Sequence, residues 1–316
     1  MPRPVDWPAG ATSQVTDLGG PVHHLDLGGP VDAPVVLAVH GLGGSALTWG
    51  LLAPRLTATH RVLAVDLWGH GGSGVPAGRP ALADDLRLLH RFVSEVVGRP
   101  VVLLGHSMGG VLALQHTAQH PNDVDRLALL SPPVPGSSGR LDLALLARRA
   151  LLRLPGVAAA VARKLARLPA EQVVAQQLRQ ATPHVDRIPA EGVAPVVVET
   201  RRRAGQPDAT RAQAVQWAGI LHTMALLGHA AAWRETLAGI TVPVLWLQGA
   251  DDPLARADQA AALAATRPDW PFRVRPGVGH LLAIEDPGWT AGQLLAWLGD
   301  GPRLHRDRPP HRDSTA

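Results

Sequence analysis

The sequence predicts an α/β protein in which a mostly parallel sheet carries helices on both faces. Short apolar runs bounded by Pro or Gly recur along the chain and alternate with segments of helical rhythm, a pattern typical of buried parallel strands. With 316 residues and 46% apolar composition, the chain can fill the core of one large domain. No internal repeat and no interdomain linker divides this core.

The predicted core elements are taken in chain order. An antiparallel N-terminal piece that includes Val22 to Leu27 precedes the parallel strands. These strands are Val35 to Val39, Arg61 to Val65, Val101 to Leu104, Leu127 to Leu130, Thr241 to Gly249 and Phe272 to Val274. Helices are predicted over Ala81 to Val97 and Val111 to Ala118, between the strands that they would cover.

Residues 132–240 form an insertion between two parts of the core, residues 1–131 and 241–300. Apolar residues in the insertion recur at three- and four-residue spacing, and no alternating strand pattern occurs there. Its predicted helices are Leu141 to Leu154, Val157 to Leu168, Ala170 to Gln180 and about Thr210 to Gly228. We therefore expect a helical lid over the carboxyl edge of the sheet, and a disordered tail over residues 301–316.

The positive charge of the chain is confined to the insertion, which holds 14 basic and 7 acidic residues. Without Tyr, and with only two Phe and no nucleic-acid reader motif, the sequence argues against nucleic-acid binding. The basic lid faces are interpreted as solvated, the alternative being contact with a membrane interface. Zero Cys excludes disulfides and thiolate chemistry. No secretory signal or membrane-spanning run is recognised, so we expect a cytoplasmic protein.

A five-residue segment, Gly105 to Gly109, follows directly after the predicted strand that ends at Leu104. Its sequence, Gly-His-Ser-Met-Gly, matches G-x-S-x-G, and an apolar helix is predicted after it. In this context the pattern predicts that Ser107 lies on a sharp turn that exposes a nucleophilic hydroxyl above the sheet. Small neighbours let the chain reverse and let the helix pack closely.

A serine nucleophile needs a base to take its proton and an acid to orient that base. Two later strands end next to such residues. Asp252 follows the strand Thr241 to Gly249, with Asp251 as the competing carboxylate, and His280 follows the strand Phe272 to Val274. The chain order is therefore Ser, Asp, His, which differs from the order in chymotrypsin and subtilisin.

Over residues 20–300 the sequence resembles the lid-bearing members of the α/β-hydrolase superfamily. The landmarks are the loop His40 to Gly44, the D-x-x-G-x-G-x-S turn Asp66 to Ser73, the G-x-x-D segment Gly249 to Asp252 and the G-H-x(4)-E-x-P segment Gly279 to Pro287. The resemblance implies an eight-stranded sheet, Asp252 as the acid, and an oxyanion hole built from the backbone amides of Leu42 and Met108. Trp68 stands where relatives often carry Arg.

The same resemblance implies the activity. We expect a serine hydrolase that cleaves a carboxylic ester of an apolar small molecule through an acyl-enzyme intermediate, with no cofactor and no metal. Relatives with this triad also cleave C–C bonds, act as cofactor-free haloperoxidases or act as lyases. A non-catalytic ligand-binding member is a further alternative.

Three other features are interpreted as structural. Gly69 to Gly74 matches G-x-G-x-x-G, but a loop is predicted after it where a dinucleotide site needs a helix. His116 and His120 lie four residues apart on a predicted helix without the Glu of zinc peptidases, and we expect surface histidines with no metal. Arg201 to Arg203 are interpreted as a solvated run, the alternative being a site for a ligand carboxylate or phosphate.

Overall fold

Residues 8–75, 82–135 and 168–300 are described by a computed structural model of the chain. They contain one eight-stranded sheet. The strands are β1 (Thr12–Asp17), β2 (Pro21–Asp26), β3 (Val35–Val39), β4 (Arg61–Val65), β5 (Val101–His106), β6 (Val124–Leu130), β7 (Val244–Gly249) and β8 (Phe272–Arg275). The predicted lid segments up to residue 167 and the predicted tail, residues 301–316, lie outside the described residues.

The strands lie in the order β1-β2-β4-β3-β5-β6-β7-β8. β1 pairs antiparallel with β2, and β2 pairs antiparallel with β4. All pairs from β4 to β8 are parallel. The carboxyl ends of these parallel strands therefore meet at one edge of the sheet, where ligand sites of α/β proteins form. The predicted mostly parallel sheet with an antiparallel N-terminal piece is confirmed.

The central strands are mostly apolar because the sheet is covered on both faces. In β3, Val35, Leu37 and Val39 belong to one hydrophobic core, whereas Val36 and Ala38 belong to the core on the opposite face. Successive side chains of a strand point to opposite faces, so each alternate position enters a different core. This two-sided burial makes the sheet a rigid base for the loops at its edge.

Helices cover both faces and cross above the carboxyl edge. Those in the core are α1 (Leu82–Arg91, continued by a π-helical segment over Phe92–Val97), α2 (Met108–Gln119), α7 (Ala257–Ala264), α8 (Leu282–Glu285) and α9 (Pro287–Gly299). Between β6 and β7 lie α3 (Ala170–Ala181), α4 (Ala190–Ala204), α5 (Ala209–Gly228) and α6 (Ala230–Ala238). The sequence did not predict α4 and α6, because Pro195 and the Arg201 to Arg203 run obscure the period of α4 and α6 is short.

Candidate active site

Ser107 lies at the turn between β5 and α2, with φ 54° and ψ −123°. A positive φ is strained for a residue with a side chain, and such strain clusters at functional sites. The flanking glycines permit the turn. A Cβ on Gly105 would lie 2.5 Å from the carbonyl oxygen of Gly109, and a Cβ on Gly109 would lie 2.4 Å from that of His40. The close packing of α2 against β5 and β3 therefore requires glycine at both positions.

Asp252 and His280 come together at the ends of β7 and β8. Asp252 Oδ2 accepts a hydrogen bond from His280 Nδ1 at 2.8 Å, and both side chains are buried. The other carboxylate oxygen accepts the backbone N–H groups of Leu254 and Ala255, both at 2.8 Å. Gln248 Nε2 donates a further bond to Oδ2 at 3.0 Å. These bonds fix the carboxylate, and the carboxylate in turn holds the proton of the imidazole on Nδ1.

The neighbouring carboxylate, Asp251, points elsewhere. Its side chain is 43% exposed, and Oδ2 lies 2.8 Å from His184 Nε2 in the turn after α3. The backbone N–H of Asp251 donates to the carbonyl of Val278. Of the two adjacent acids, the structure thus places only Asp252 on the histidine ring.

The loop after β3 lies directly beside Ser107. A Cβ on Gly41 would lie 2.9 Å from Ser107 Cβ, so only glycine lets this loop approach so closely. His40 anchors the loop, since Nδ1–H donates to the Gly41 carbonyl at 2.7 Å and Nε2 accepts the Leu67 N–H at 3.1 Å. Burial lowers the pKa of His40, which favours the neutral ring that these two bonds require.

Leu42 and Met108 supply the two backbone amides expected to bind an oxyanion. Met108 is the first residue of α2, so its N–H belongs to the first helical turn, which has no intrahelical acceptors and carries the positive end of the helix dipole. Leu42 follows Gly41 in the adjacent loop, and its side chain is 41% exposed. The arrangement puts apolar side chains next to the groups that would stabilise negative charge.

Asp66 organises the turn after β4. Its carboxylate accepts the N–H groups of Ala46 at 2.6 Å and Gly72 at 2.7 Å, and it accepts a bond from His23 Nδ1 at 2.6 Å. Burial raises the pKa of the carboxyl, but the bonds from His23 and Ala46 outweigh it and hold the pKa below its usual value. Gly71 has φ +47°, and a Cβ there would lie 1.9 Å from Asp66 Oδ2. The D-x-x-G-x-G-x-S pattern thus encodes a tightly packed turn around Asp66.

The segment that carries His280 is held from three sides. Glu285 accepts the N–H groups of Gly279 and Leu281 at 2.9 Å and 2.8 Å. His106 Nε2–H donates to the His280 carbonyl at 2.9 Å, and burial lowers the pKa of His106 to about 3, which keeps its ring neutral. The His280 N–H donates to the carbonyl of Ala181 at the end of α3. His280 is therefore fixed through its backbone as well as its ring.

Helices α3 to α5 supply contacts that the sequence did not reveal. Thr182 Oγ1 donates to Glu285 at 2.7 Å, next to the bond between Ala181 and His280. On α5, a Cβ at Gly219 would lie 3.3 Å from the Met108 sulfur, so this helix lies against the residue after Ser107. No motif marks these positions, because each contact joins segments that are far apart in the chain.

Two interpretations of basic residues are corrected by the structure. The Arg201 to Arg203 run is not uniformly solvated. Arg202 bonds to Glu199 and to the Gly71 carbonyl, and Arg203 donates to the Gly69 carbonyl. These arginines satisfy carbonyls of the Asp66 turn, which the sequence could not show. His116 is not a surface residue, since α2 is buried along most of its length and His116 is fully buried.

Comparison with known proteins places this geometry in a family. The family model described as alpha/beta hydrolase fold matches residues 34–287. The magnesium-chelatase 30 kDa subunit of Rhodobacter capsulatus is 30% identical and covers 93% of this chain and 97% of that protein. An uncharacterized protein of Mycobacterium tuberculosis is 27% identical, and the match covers 90% of this chain and 80% of that protein.

Among solved structures, naproxen esterase (carboxylesterase NP) of Bacillus subtilis matches with a TM-score of 0.68 at 19% identity. The match covers 92% of this chain and 93% of that one, and at this identity it supports the fold alone. Among the helices described, none combines the length and the apolar character needed to cross a bilayer.

Proposed function

Because the chain belongs to the α/β-hydrolase family, we propose that it is a serine hydrolase that cleaves a carboxylic ester of an apolar small molecule. The observation that carries the proposal is the Asp252–His280 hydrogen bond of 2.8 Å, formed at the same sheet edge as the strained turn of Ser107. An imidazole whose Nδ1–H faces a buried carboxylate leaves Nε2 free to accept a proton. That is the protonation state that a serine nucleophile needs.

The proposed reaction proceeds through an acyl-enzyme. Ser107 Oγ attacks the ester carbonyl carbon while His280 Nε2 takes the hydroxyl proton, and Asp252 stabilises the resulting imidazolium. The carbonyl oxygen becomes an oxyanion, which the N–H groups of Leu42 and Met108 bind. Collapse breaks the bond to the alcohol, which leaves with the proton from His280. Water, deprotonated by His280, then hydrolyses the acyl-enzyme and restores Ser107.

The substrate preference follows from the surroundings of the oxyanion amides. The partly exposed side chain of Leu42 adjoins one amide, and the Met108 side chain adjoins the other and lies against α5 at Gly219. Neither side chain offers a charge or a strong hydrogen-bond donor to a substrate. We infer an apolar acyl or alcohol group there, since removing apolar area from water is favourable and charged or polar groups would lose hydration without gaining a partner.

One relative supports a second candidate. The relative that is 30% identical over nearly its full length carries the name of a chelatase subunit. A role as a non-catalytic ligand-binding subunit therefore competes with the hydrolase. The two differ in whether Ser107 reacts, because a binding subunit has no need of an activated hydroxyl.

Covalent labelling and ester hydrolysis test the proposal together. We expect a fluorophosphonate probe to label the protein at Ser107, and p-nitrophenyl esters of increasing acyl length to be hydrolysed. Ser107→Ala should abolish labelling and lower kcat by at least about a thousandfold, because the triad residues act as a unit. Ser94→Ala, at an exposed serine on the π-helical segment after α1, is the matched control and should behave as wild type. Absence of labelling in folded wild-type protein would favour the binding subunit.

A further inference from the structure

Four side chains of metal-ligating type meet at the far end of α2, away from the site of Ser107. They come from the end of α1, from α2 and from the turn before β6: His90, His116, His120 and Asp123. One ligand atom from each of His90, His120 and Asp123 lies within 4.8 Å of the others. We refer to these four residues as the histidine cluster.

Asp123 is the centre of the cluster. Its Oδ2 lies 2.7 Å from His90 Nδ1 and 3.2 Å from His116 Nε2, and its side chain is buried. The rings of His90 and His120 stack with centroids 4.1 Å apart. The ring of His116 lies 5.2 Å from that of His120, centroid to centroid. Three imidazoles thus surround one carboxylate at the spacing from which a cation can be coordinated.

The second observation is the state of His116. The residue is fully buried, yet among the described residues neither ring nitrogen has a hydrogen-bond partner of acceptable geometry. Its Nε2 is nevertheless aimed at Asp123 Oδ2 at 3.2 Å. A buried polar group without a partner costs free energy, so a buried imidazole is expected to bind a donor, an acceptor or an ion. An ion placed beside Asp123 would supply that partner.

We propose that the histidine cluster binds one divalent transition-metal cation, with Zn²⁺ as the representative ion. Imidazole nitrogens and a carboxylate oxygen form a ligand set typical of Zn²⁺ and other late first-row cations, and the set needs no cysteine. His90, His120 and Asp123 supply three ligands, and His116 Nε2 can supply the fourth. This replaces our expectation that His116 and His120 are surface histidines without a metal.

The required rearrangement is small. Zinc bonds of about 2.0–2.2 Å bring ligand atoms to roughly 3.4 Å from one another in a tetrahedral site. The contact of 2.7 Å between His90 Nδ1 and Asp123 Oδ2 must therefore lengthen slightly, and the longer spacings between the other ligand atoms must shorten. The two residues that have to turn are the accessible ones, since the His90 side chain is 40% exposed and His120 is partly exposed. Asp123 and His116 are held by burial.

The position of the cluster predicts a structural role for the cation. Ser107 precedes α2 and His120 follows it, and the twelve residues of this helix span about 18 Å. A cation at the cluster is thus remote from the ester-cleaving groups. It would join the end of α1 to the connection between α2 and β6, and it would stabilise the folded chain by binding only to that state.

The test uses the full chain after removal of metals with a chelator. Titration with ZnCl₂ is followed by calorimetry, and thermal unfolding is measured with and without zinc. We expect one saturable site at the cluster and a zinc-dependent rise in Tm. His90→Ala and His120→Ala should each weaken this site at least tenfold and remove the Tm rise. Both positions are partly exposed, so Tm without zinc should stay near that of wild type and show that the variants fold.

His229→Ala, at an exposed histidine outside the cluster, is the matched control and should retain wild-type zinc binding. Two results would overturn the proposal. One is the lack of any saturable binding or Tm rise up to about 1 mM zinc. The other is a zinc affinity and Tm rise in His90→Ala and His120→Ala that equal those of wild type, since the cation would then be bound elsewhere.

Discussion

Replacing Asp252 by Asn tests the orientation of the base without changing its shape. In the wild-type structure, Oδ1 accepts two backbone N–H groups at 2.8 Å, while Oδ2 accepts from His280 Nδ1 and from Gln248 Nε2. The asparagine oxygen must stay with the two backbone donors. Its NH₂ group then faces His280 and can only donate, so the imidazole proton moves to Nε2. His280 can no longer accept the Ser107 proton.

The expected loss is large because the wrong tautomer must be corrected in every turnover. The equivalent change in another Ser-His-Asp triad lowers kcat by about 10⁴-fold, or about 5.5 kcal/mol of barrier. The NH₂ group also meets Gln248 Nε2, a second donor, so the free energy of unfolding should fall by about 1–3 kcal/mol. Steady-state hydrolysis of a p-nitrophenyl ester gives the first quantity, and urea unfolding gives the second.

Asp251→Asn is the matched control, because it makes the same chemical change one residue away. Asp251 is exposed, and its side chain pairs with His184, a surface pair worth about 0–1 kcal/mol. Its kcat should stay within about twofold of wild type. Equal losses in the two variants would refute our reasoning, as would Asp252→Asn with kcat near that of wild type.

Three further predictions concern groups around the site. Glu285→Gln should lower kcat about tenfold to a hundredfold with little change in KM. The reason is that the backbone N–H groups on either side of His280 lose an ionic acceptor. A kcat equal to that of wild type would contradict this. Burial raises the pKa of Asp85 from 3.8 to about 7. Between these two pH values the folded state therefore holds one more proton than the unfolded state. As pH rises from 4 to 7, the free energy of unfolding should fall by up to about 4 kcal/mol. Urea unfolding at pH 5 and 8 measures this decline, and in Asp85→Asn the difference between the two unfolding free energies should disappear. A difference equal to that of wild type would rule out Asp85 as its source. Gly71→Ala should lower the unfolding free energy by about 3 kcal/mol or more, because its Cβ would overlap Asp66. In the control Gly98→Ala, which has φ +70° and open space, only about 1 kcal/mol should be lost; equal losses would contradict the overlap.

The parts of the site that sequence could predict are those encoded by local geometry. Ser107 stands between two glycines that the packing of α2 requires, and Gly71 allows the turn around Asp66. Such constraints act within a few residues of one another, so they leave patterns that can be read in the chain. The sheet is predictable for the same reason, because each strand is a short apolar run buried on both faces.

The parts that sequence could not predict depend on contacts between distant segments. Thr182 and His184 contact the segments of Glu285 and Asp251, and nothing in the residue types near position 182 indicates it. The burial of His116 likewise depends on the packing of α2 as a whole. A periodic pattern shows which face of a helix is apolar, but it does not show which chain segment will cover that face.

These distant contacts assign the helices between β6 and β7 a part in the site itself. The end of α3 accepts the His280 N–H through Ala181 and bonds to Glu285 through Thr182. Displacing this end of α3 would therefore move the base relative to Ser107. On α4, Arg203 satisfies a carbonyl of the Asp66 turn, whose carboxylate binds Ala46 in the segment that follows the oxyanion loop. The same helices that cover the sheet edge thus help to fix both His280 and the loop after β3, the two segments on which the proposed reaction depends.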